Sequence, residues 1–323
     1  MKAAVIQKFG DTPRYAEFPD PVAGGGDVPV KVRAAVLENF DKLTASGKHY
    51  ASKHMFPVFP AIVGHIGVGE LEDGTLVTFG GSRPPYGVMA QIAVVPEEYR
   101  AYMTPVPAGV DPLLAAALPP SALTSLLPLK YGDRLQPGGV VLINGATGVS
   151  GKIAVQVAKL LGAGKVVGTG RDELRLQTVL KLGADAVINT RKSDDEVKEA
   201  FRTEADQGYD VVLDYLWGHP TELLLQALVP KKASFGAHKT RLVQIGEAAG
   251  PTITLPAEAL RTSGVRLTGA GDIPGEDLPE AIKQVWEWMK EGRLAMDIEQ
   301  VPLKDVGEAW HRKTEGERIV FVL

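Results

Sequence analysis

Two rhythms of apolar and polar positions divide the chain. Over residues 1 to about 116, short Val-rich runs alternate with Gly- and Pro-rich turns. Val28–Val36, Leu76–Phe79 and Met89–Val95 read as strands, since β-branched residues suit a pleated surface. Ala23-Gly24-Gly25-Gly26-Asp27 and Gly80-Gly81-Ser82 supply the turns. From about Leu118 the rhythm changes to compact apolar runs alternating with helical patterns. Val140–Asn144 is the first run. In Val149–Leu161, Ile153, Ala154, Val157, Leu160 and Leu161 share one helical face, and Gly162 marks its end. Strands follow at Lys165–Thr169, Ala186–Asn189, Val211–Asp214, Arg241–Ile245 and Val265–Gly269. Helices fall between them at Glu173–Leu182, Ser193–Ala205, Thr221–Leu228 and Ala257–Ser263. Asp194 and Asp195 open the Ser193 helix, where its dipole favours negative charge.

Strands alternating with helices call for a parallel sheet covered on both faces. Its ligand then binds at the carboxyl ends of the strands. An amphipathic helix, Leu278–Gly292, and a short tail ending in Arg318–Val322 complete the chain. The tail is too small to fold alone and is expected to pack onto the N-terminal domain.

The first strand-helix junction carries a specific signal. Val140–Asn144 runs into Gly145-Ala146-Thr147-Gly148-Val149-Ser150-Gly151 and then a helix. Glycines at this spacing let the backbone turn tightly and approach a pyrophosphate on the helix N-terminus. Such a turn without a ligand is the plainer alternative. The second strand bears on the cofactor. An NAD site has an acid at its end to bind the ribose hydroxyls. Here Gly170 stands in that place and Arg171 follows. An Arg there binds a 2′-phosphate by charge-assisted hydrogen bonds, which predicts NADP(H). The alternative is a solvated Arg171, with Asp172 acting as the acid.

Composition removes other chemistries. The 323 residues include 35 Lys and Arg against 39 Asp and Glu, a net charge of −4, which argues against nucleic acid as a ligand. There is no cysteine, so disulfides, thiol nucleophiles, iron–sulfur clusters and Cys-bound zinc are all excluded. No apolar run approaches the roughly 20 residues that span a bilayer, and MKAAVIQKFG lacks a secretory core. A cytoplasmic protein with no membrane partner is expected.

The sequence resembles the medium-chain dehydrogenase/reductase superfamily, and within it the zinc-independent quinone oxidoreductases and enone reductases. The residues that carry the resemblance are Gly145–Gly151 with Lys152–Lys159, Leu182–Asn189, Val211–Gly218, Met1-Lys2-Ala3, Pro60–Gly69 and Pro85–Ala90. It implies an α/β chain in which a GroES-like β-rich catalytic domain joins a Rossmann doubly wound parallel six-stranded sheet, with the active site in the cleft between them. The first would span 1–116, the second 117–270, and 271–323 would return to complete the first.

Site residues follow from the same resemblance. Zinc-dependent members bind metal through a Cys, the His of a Gly-His-Glu motif and a later Cys or Asp. Here Glu38 stands at the Cys position and Gly64-His65-Ile66 lacks the acid, so no metal is expected. A residual Glu38/His65 metal site is the alternative, as is His65 acting as a pocket-lining or core residue. Quinone oxidoreductases often place an Asn near the nicotinamide, and here Glu38 takes that position with Asn39 beside it. Glu38 reads either as a proton relay or as a structural hydrogen-bond acceptor. Tyr50, or His49 without a gap, would face the substrate oxygen. Tyr86 and Trp217 would line the pocket or pack in the core. Thr124, Thr190, Gly246 and Gly269 would touch the dinucleotide with Gly145, Thr147, Gly148, Val149 and Ser150, and Arg312 would join Arg171 at its phosphate. A small quinone or enone is the implied substrate, and a homodimer through the edge of the Rossmann sheet the implied assembly. The alternatives are a metal-free alcohol or carbonyl dehydrogenase, and an NADPH-binding protein with little catalysis.

Overall fold

The computed structural model describes residues 1–131, 135–205, 208–231, 238–272, 277–314 and 316–323. It divides into two compact units. The first is Met1–Pro119 with Met296–Leu323; the second is Pro120–Ala295. The boundaries therefore stand a few residues beyond 116 and well beyond 270.

The first unit opens with β1 (Lys2–Ile6), β2 (Arg14–Glu17), β3 (Val28–Val36), α1 (Asn39–Ala45), α2 (Ser52–Met55), β4 (Ala61–Ile62), β5 (Ile66–Glu70), β6 (Leu76–Gly80), β7 (Ile92–Val95) and β8 (Thr104–Pro105). The helix α3 (Pro112–Lys130) spans the boundary. The second unit then runs β9 (Val140–Asn144), α4 (Val149–Leu160), β10 (Lys165–Gly170), α5 (Glu173–Lys181), β11 (Ala186–Asn189), α6 (Asp194–Ala205), β12 (Val211–Asp214), α7 (Gly218–Ala227), β13 (Arg241–Gln244), α8 (Ala257–Thr262), β14 (Arg266–Gly269) and α9 (Leu278–Lys290). The chain re-enters the first unit with β15 (Ile298–Pro302), α10 (Val306–Ala309) and β16 (Arg318–Val322).

In the first unit β3 is central. Alternate residues of its Val28–Val36 run face inward, and Val30, Val32 and Ala34 are buried. It pairs antiparallel with β5, β7 and β16, in a sheet ordered β15-β16-β3-β5-β6-β8. The C-terminal strand β16 is thus built into this sheet, as expected of a tail too small to fold alone. Phe79, Met89, Trp310, Ile319 and Phe321 fill the core on one side. A smaller antiparallel sheet, β2-β1-β4, packs around Phe18.

The second unit holds the expected six-stranded parallel sheet, ordered β11-β10-β9-β12-β13-β14. The order reverses direction at β9, so the switch point lies beside the turn Gly145–Gly151. Its central strands are apolar throughout because helices cover both faces; Val141, Leu142, Ile143, Val212 and Leu213 are fully buried. Tyr209 donates its hydroxyl to Phe201 O at 2.8 Å, which satisfies the polar end of a ring buried under α6.

One element departs from the expectation. The helix α3 is 19 residues long, and its length and composition would suffice to cross a membrane. About 61% of its most apolar window is buried inside the protein, so it is a core helix. Its consecutive Pro119 and Pro120 remove two backbone donors and read locally as a break, which conceals a continuous element.

Phe321→Ala is expected to destabilise the chain by about 3–5 kcal/mol, since it empties a fully buried site in the first core. Urea unfolding measures this, and a loss below about 1 kcal/mol would contradict the packing.

Candidate functional site

The polar groups of the second unit gather at the carboxyl ends of its central strands. Asn144 closes β9 and Asp214 closes β12, and both are fully buried. Asp214 Oδ1 accepts from Asn144 Nδ2 (2.9 Å), Leu216 N (3.0 Å) and Trp217 N (3.1 Å). Its Oδ2 accepts from Thr221 Oγ1 at 2.6 Å. Asn144 Oδ1 in turn accepts from Thr169 Oγ1 (2.8 Å), which accepts from Gly145 N (2.8 Å). The chain of bonds joins three neighbouring strands to the glycine turn. Burial pushes the Asp214 carboxyl above its usual range, and its four donors pull the other way.

This network holds two unusual backbones. Gly145 has φ +97°, open to glycine at little cost. Trp217 has φ +52°, the single non-glycine residue with positive φ among the described residues. Such a conformation costs on the order of 1–3 kcal/mol and needs an outside restraint, which Asp214 supplies at Trp217 N. The Trp217 ring packs against the second core.

The turn fits a pyrophosphate. Gly148 is the N-cap of α4, is exposed, and has no side chain to cover the helix end. Val149 and Ser150 open the helix, and their N–H groups belong to the first turn, which has no intrahelical acceptor. Gly151 is needed for a different reason: a Cβ there would collide with Gly145 O and lie 2.7 Å from Ala146 Cα. The turn closes only without that atom.

At the end of β10, Gly170 O accepts from Thr190 N at 2.8 Å and from Thr190 Oγ1 at 3.2 Å. Arg171 is exposed, with no hydrogen bond or ion pair among the described residues. Asp172 is the N-cap of α5, where its Oδ1 accepts from Arg175 N at 3.0 Å. Its carboxylate thus caps its own helix. Arg191, also exposed, follows Thr190 on the neighbouring strand end. Gly246 N donates to Asp214 O at 3.1 Å, and Gly269 ends β14 at the sheet edge. Thr124 Oγ1 lies 3.1 Å from the Tyr215 hydroxyl and donates to Ser121 O at 2.8 Å.

In the first unit, a line of rings joins several expected residues. Tyr50 lies against His49 (4.0 Å between centroids), His49 against Phe40 (5.2 Å), and Phe40 against His65 (5.3 Å). Tyr50 is 94% exposed. His49 Nδ1 accepts from Ala51 N at 3.2 Å, which leaves Nε2 to carry the ring's proton. Asn39 is the exposed first residue of α1, and Glu38 is its N-cap. Glu38 Oε1 lies 3.8 Å from Arg318 Nη2, and Glu38 N donates to Asp41 Oδ2 at 2.8 Å. Burial, then the Glu38 carboxylate, pushes the Asp41 carboxyl up to about 8. Burial holds the half-buried His65 below its usual value, so its ring is neutral. The donors do not fit a zinc ion: no three His, Asp or Glu side chains gather among the described residues, and Glu38 sits beside Arg318.

Two expected residues have partners within the first unit. Arg312 is held by Glu299 and by Glu308 (3.0 Å), both in the first unit, so its charge is already matched. Tyr86 packs edge-on to Phe18 (5.7 Å), with its hydroxyl 3.4 Å from Asp20 O, and belongs to the small β1 core. Asn144, Thr169, Asp214 and Asp41 were not singled out from the sequence. The available signal was a polar residue closing an apolar run, as in VVLIN and VVLD.

Asp214→Ala is expected to cost about 3 kcal/mol or more, because it strands several buried donors at once. Urea unfolding tests this, and a loss under about 1 kcal/mol would contradict the network. The raised Asp41 carboxyl gives a pH signature. Protonation favours the folded state, so its stabilisation is complete below about pH 4 and is lost as pH rises towards 8. The melting temperature of Asp41→Asn should fall less than that of the parent between those values; parallel curves would count against a buried neutral Asp41.

Residues 150–291 match the family model "Zinc-binding dehydrogenase". Quinone oxidoreductase-like protein 2 of Bos taurus is 26% identical over 296 residues, covering 86% of this chain and 80% of that one. An NAD-dependent alcohol dehydrogenase of Sulfolobus acidocaldarius is 28% identical over 309 residues, covering 84% and 83%. The quinone oxidoreductase of Thermus thermophilus, solved also in complex with NADPH, superposes over 100% of both chains with a TM-score of 0.79 and 28% identity. With the switch-point sheet and the β-rich first unit, these likenesses support an oxidoreductase of the medium-chain dehydrogenase/reductase superfamily, on its quinone oxidoreductase branch.

Proposed function

We propose that this chain is an NADP(H)-dependent, zinc-independent reductase of quinones or α,β-unsaturated carbonyls. One observation carries the cofactor choice. Where an NAD site presents a carboxylate, this strand end presents Gly170 and the exposed cation of Arg171, while Asp172 is committed to its helix. An exposed guanidinium matches the 2′-phosphate geometrically, and a carboxylate would repel it. The NADPH complex of the Thermus relative agrees with this reading.

The residues that would hold the dinucleotide are Gly145, Thr147, Gly148, Val149 and Ser150 at its pyrophosphate and Arg171 at its phosphate. Gly246 and Trp217 stand at the neighbouring strand ends. When bound, reduced nicotinamide supplies a hydride to the substrate's electrophilic carbon. The protein's part is orientation and charge. A conjugated carbonyl spreads its developing negative charge over an enolate or hydroquinone, so hydrogen-bond donors suffice where a saturated ketone needs a Lewis acid. His49 Nε2–H and the Tyr50 hydroxyl are the candidate donors from the first unit, with His65 on the other side of Phe40. The second reading, a metal-free alcohol or carbonyl dehydrogenase, draws on the Sulfolobus relative.

NADPH oxidation should proceed with a quinone and a conjugated enone, and a saturated ketone should be turned over at least about 100-fold more slowly. Turnover of the ketone alone overturns the first reading and favours the second. Arg171→Ala should weaken NADPH about 10- to 100-fold, the worth of one charge-assisted contact, and change NADH less than about threefold. Fluorescence titration measures both, and equal losses would refute the phosphate role.

A further inference from the structure

The end of β10 carries a packing constraint beside its charge. Gly170 is buried, and its backbone is ordinary strand with no positive φ, so conformation does not demand glycine. Contact does. A Cβ built there would fall inside the Thr147 γ-methyl, 3.1 Å from Thr147 Oγ1 and 3.0 Å from Leu176 Cδ2. The backbone on both sides of this contact is pinned. Thr190 N pins Gly170 O at 2.8 Å, while Gly145 N and Ala146 N are bonded to Thr169 Oγ1 and O at 2.8 and 2.9 Å. Thr147 thus fills the volume through which any side chain at 170 would have to leave the strand. An acid in that position is what binds the two free ribose hydroxyls of NAD.

We infer that Thr147 is a specificity-determining residue: by closing the space at Gly170, it excludes the acid that NAD recognition requires and leaves the strand end to the 2′-phosphate form. The inference deepens the NADP(H) reading and rests on it. Specificity here comes from a steric exclusion as well as an attraction, the two usual halves of discrimination. It follows that placing an acid at 170 cannot by itself convert the cofactor choice; room must be made at 147 first.

The experiment has two parts. Melting of Thr147→Ala, Gly170→Ala and the double variant, without dinucleotide, reads the packing. Gly170→Ala alone should lower the melting temperature by about 4 °C or more through overpacking, and Thr147→Ala should restore over half of that loss. Shifts that simply add, or a Gly170→Ala chain that melts with the parent, overturn the contact. NADPH and NADH titrations then read specificity. Gly170→Asp alone should lose NADPH at least tenfold without gaining NADH, and Gly170→Asp with Thr147→Ala should bind NADH at least tenfold tighter than Gly170→Asp alone. Non-additive melting with no NADH gain in that double variant overturns the specificity role. A parent chain that binds both dinucleotides equally overturns the NADP(H) reading instead.

Discussion

A carboxylate in an apolar interior must be surrounded by donors, and Asp214 is held by four of them. That requirement organises the second unit. Because its donors come from β9, from the residues after β12 and from α7, the strand ends cannot slide without stranding a buried charge. Through Asn144 and Thr169, the same restraint reaches Gly145 N and fixes the glycine turn. Through Trp217 N it stabilises a backbone that an aromatic residue otherwise avoids. The turn thus owes its form to buried polar bonds as much as to its glycines.

The charge at the strand ends is then a matter of what remains exposed. The chain as a whole is slightly acidic, so it offers no general attraction to polyphosphates. The exposed cation at the end of β10, Arg171, stands beside acids that are engaged: Asp172 caps α5 and Glu173 accepts from Asn189 Nδ2 at 2.7 Å. By contrast Arg312 already faces two carboxylates. The first unit follows a related logic. Arg318 and Glu38 lie together at the start of α1, and the nearby Asp41 carboxyl is driven towards its neutral form. His65 is a neutral ring and His49 presents one free ring nitrogen, both set against Phe40.

Much of the second unit was legible because a sheet covered on both faces must be written as continuous apolar runs. Each run from Val140–Asn144 to Val265–Gly269 therefore marked a strand to within a residue or so. The turn was legible for a similar reason, since glycine is required wherever a Cβ would meet Gly145 O. The helix Pro112–Lys130 was hidden by its internal prolines, which signal a break locally while burial sustains the helix. The Asp214 network was hidden because an Asp after an apolar run looks the same whether it turns into solvent or inward. The partners of Arg312 were hidden for a further reason: a sequence shows a cation but not the glutamates that will face it. Tyr86 read equally as a pocket or a core residue, and only the fold reveals Phe18 beside it.

The central claim is that one hydrogen-bonded unit, from the glycine turn through Asn144 and Asp214 to Trp217, receives the dinucleotide. Amide hydrogen exchange with and without saturating NADPH tests it most directly. Peptides covering 145–151 and 214–218 should gain protection together, with a third gain at 168–172, while the β2 region is unchanged. Protection confined to other segments, or a protected turn with an unaffected 214–218 segment, would contradict it.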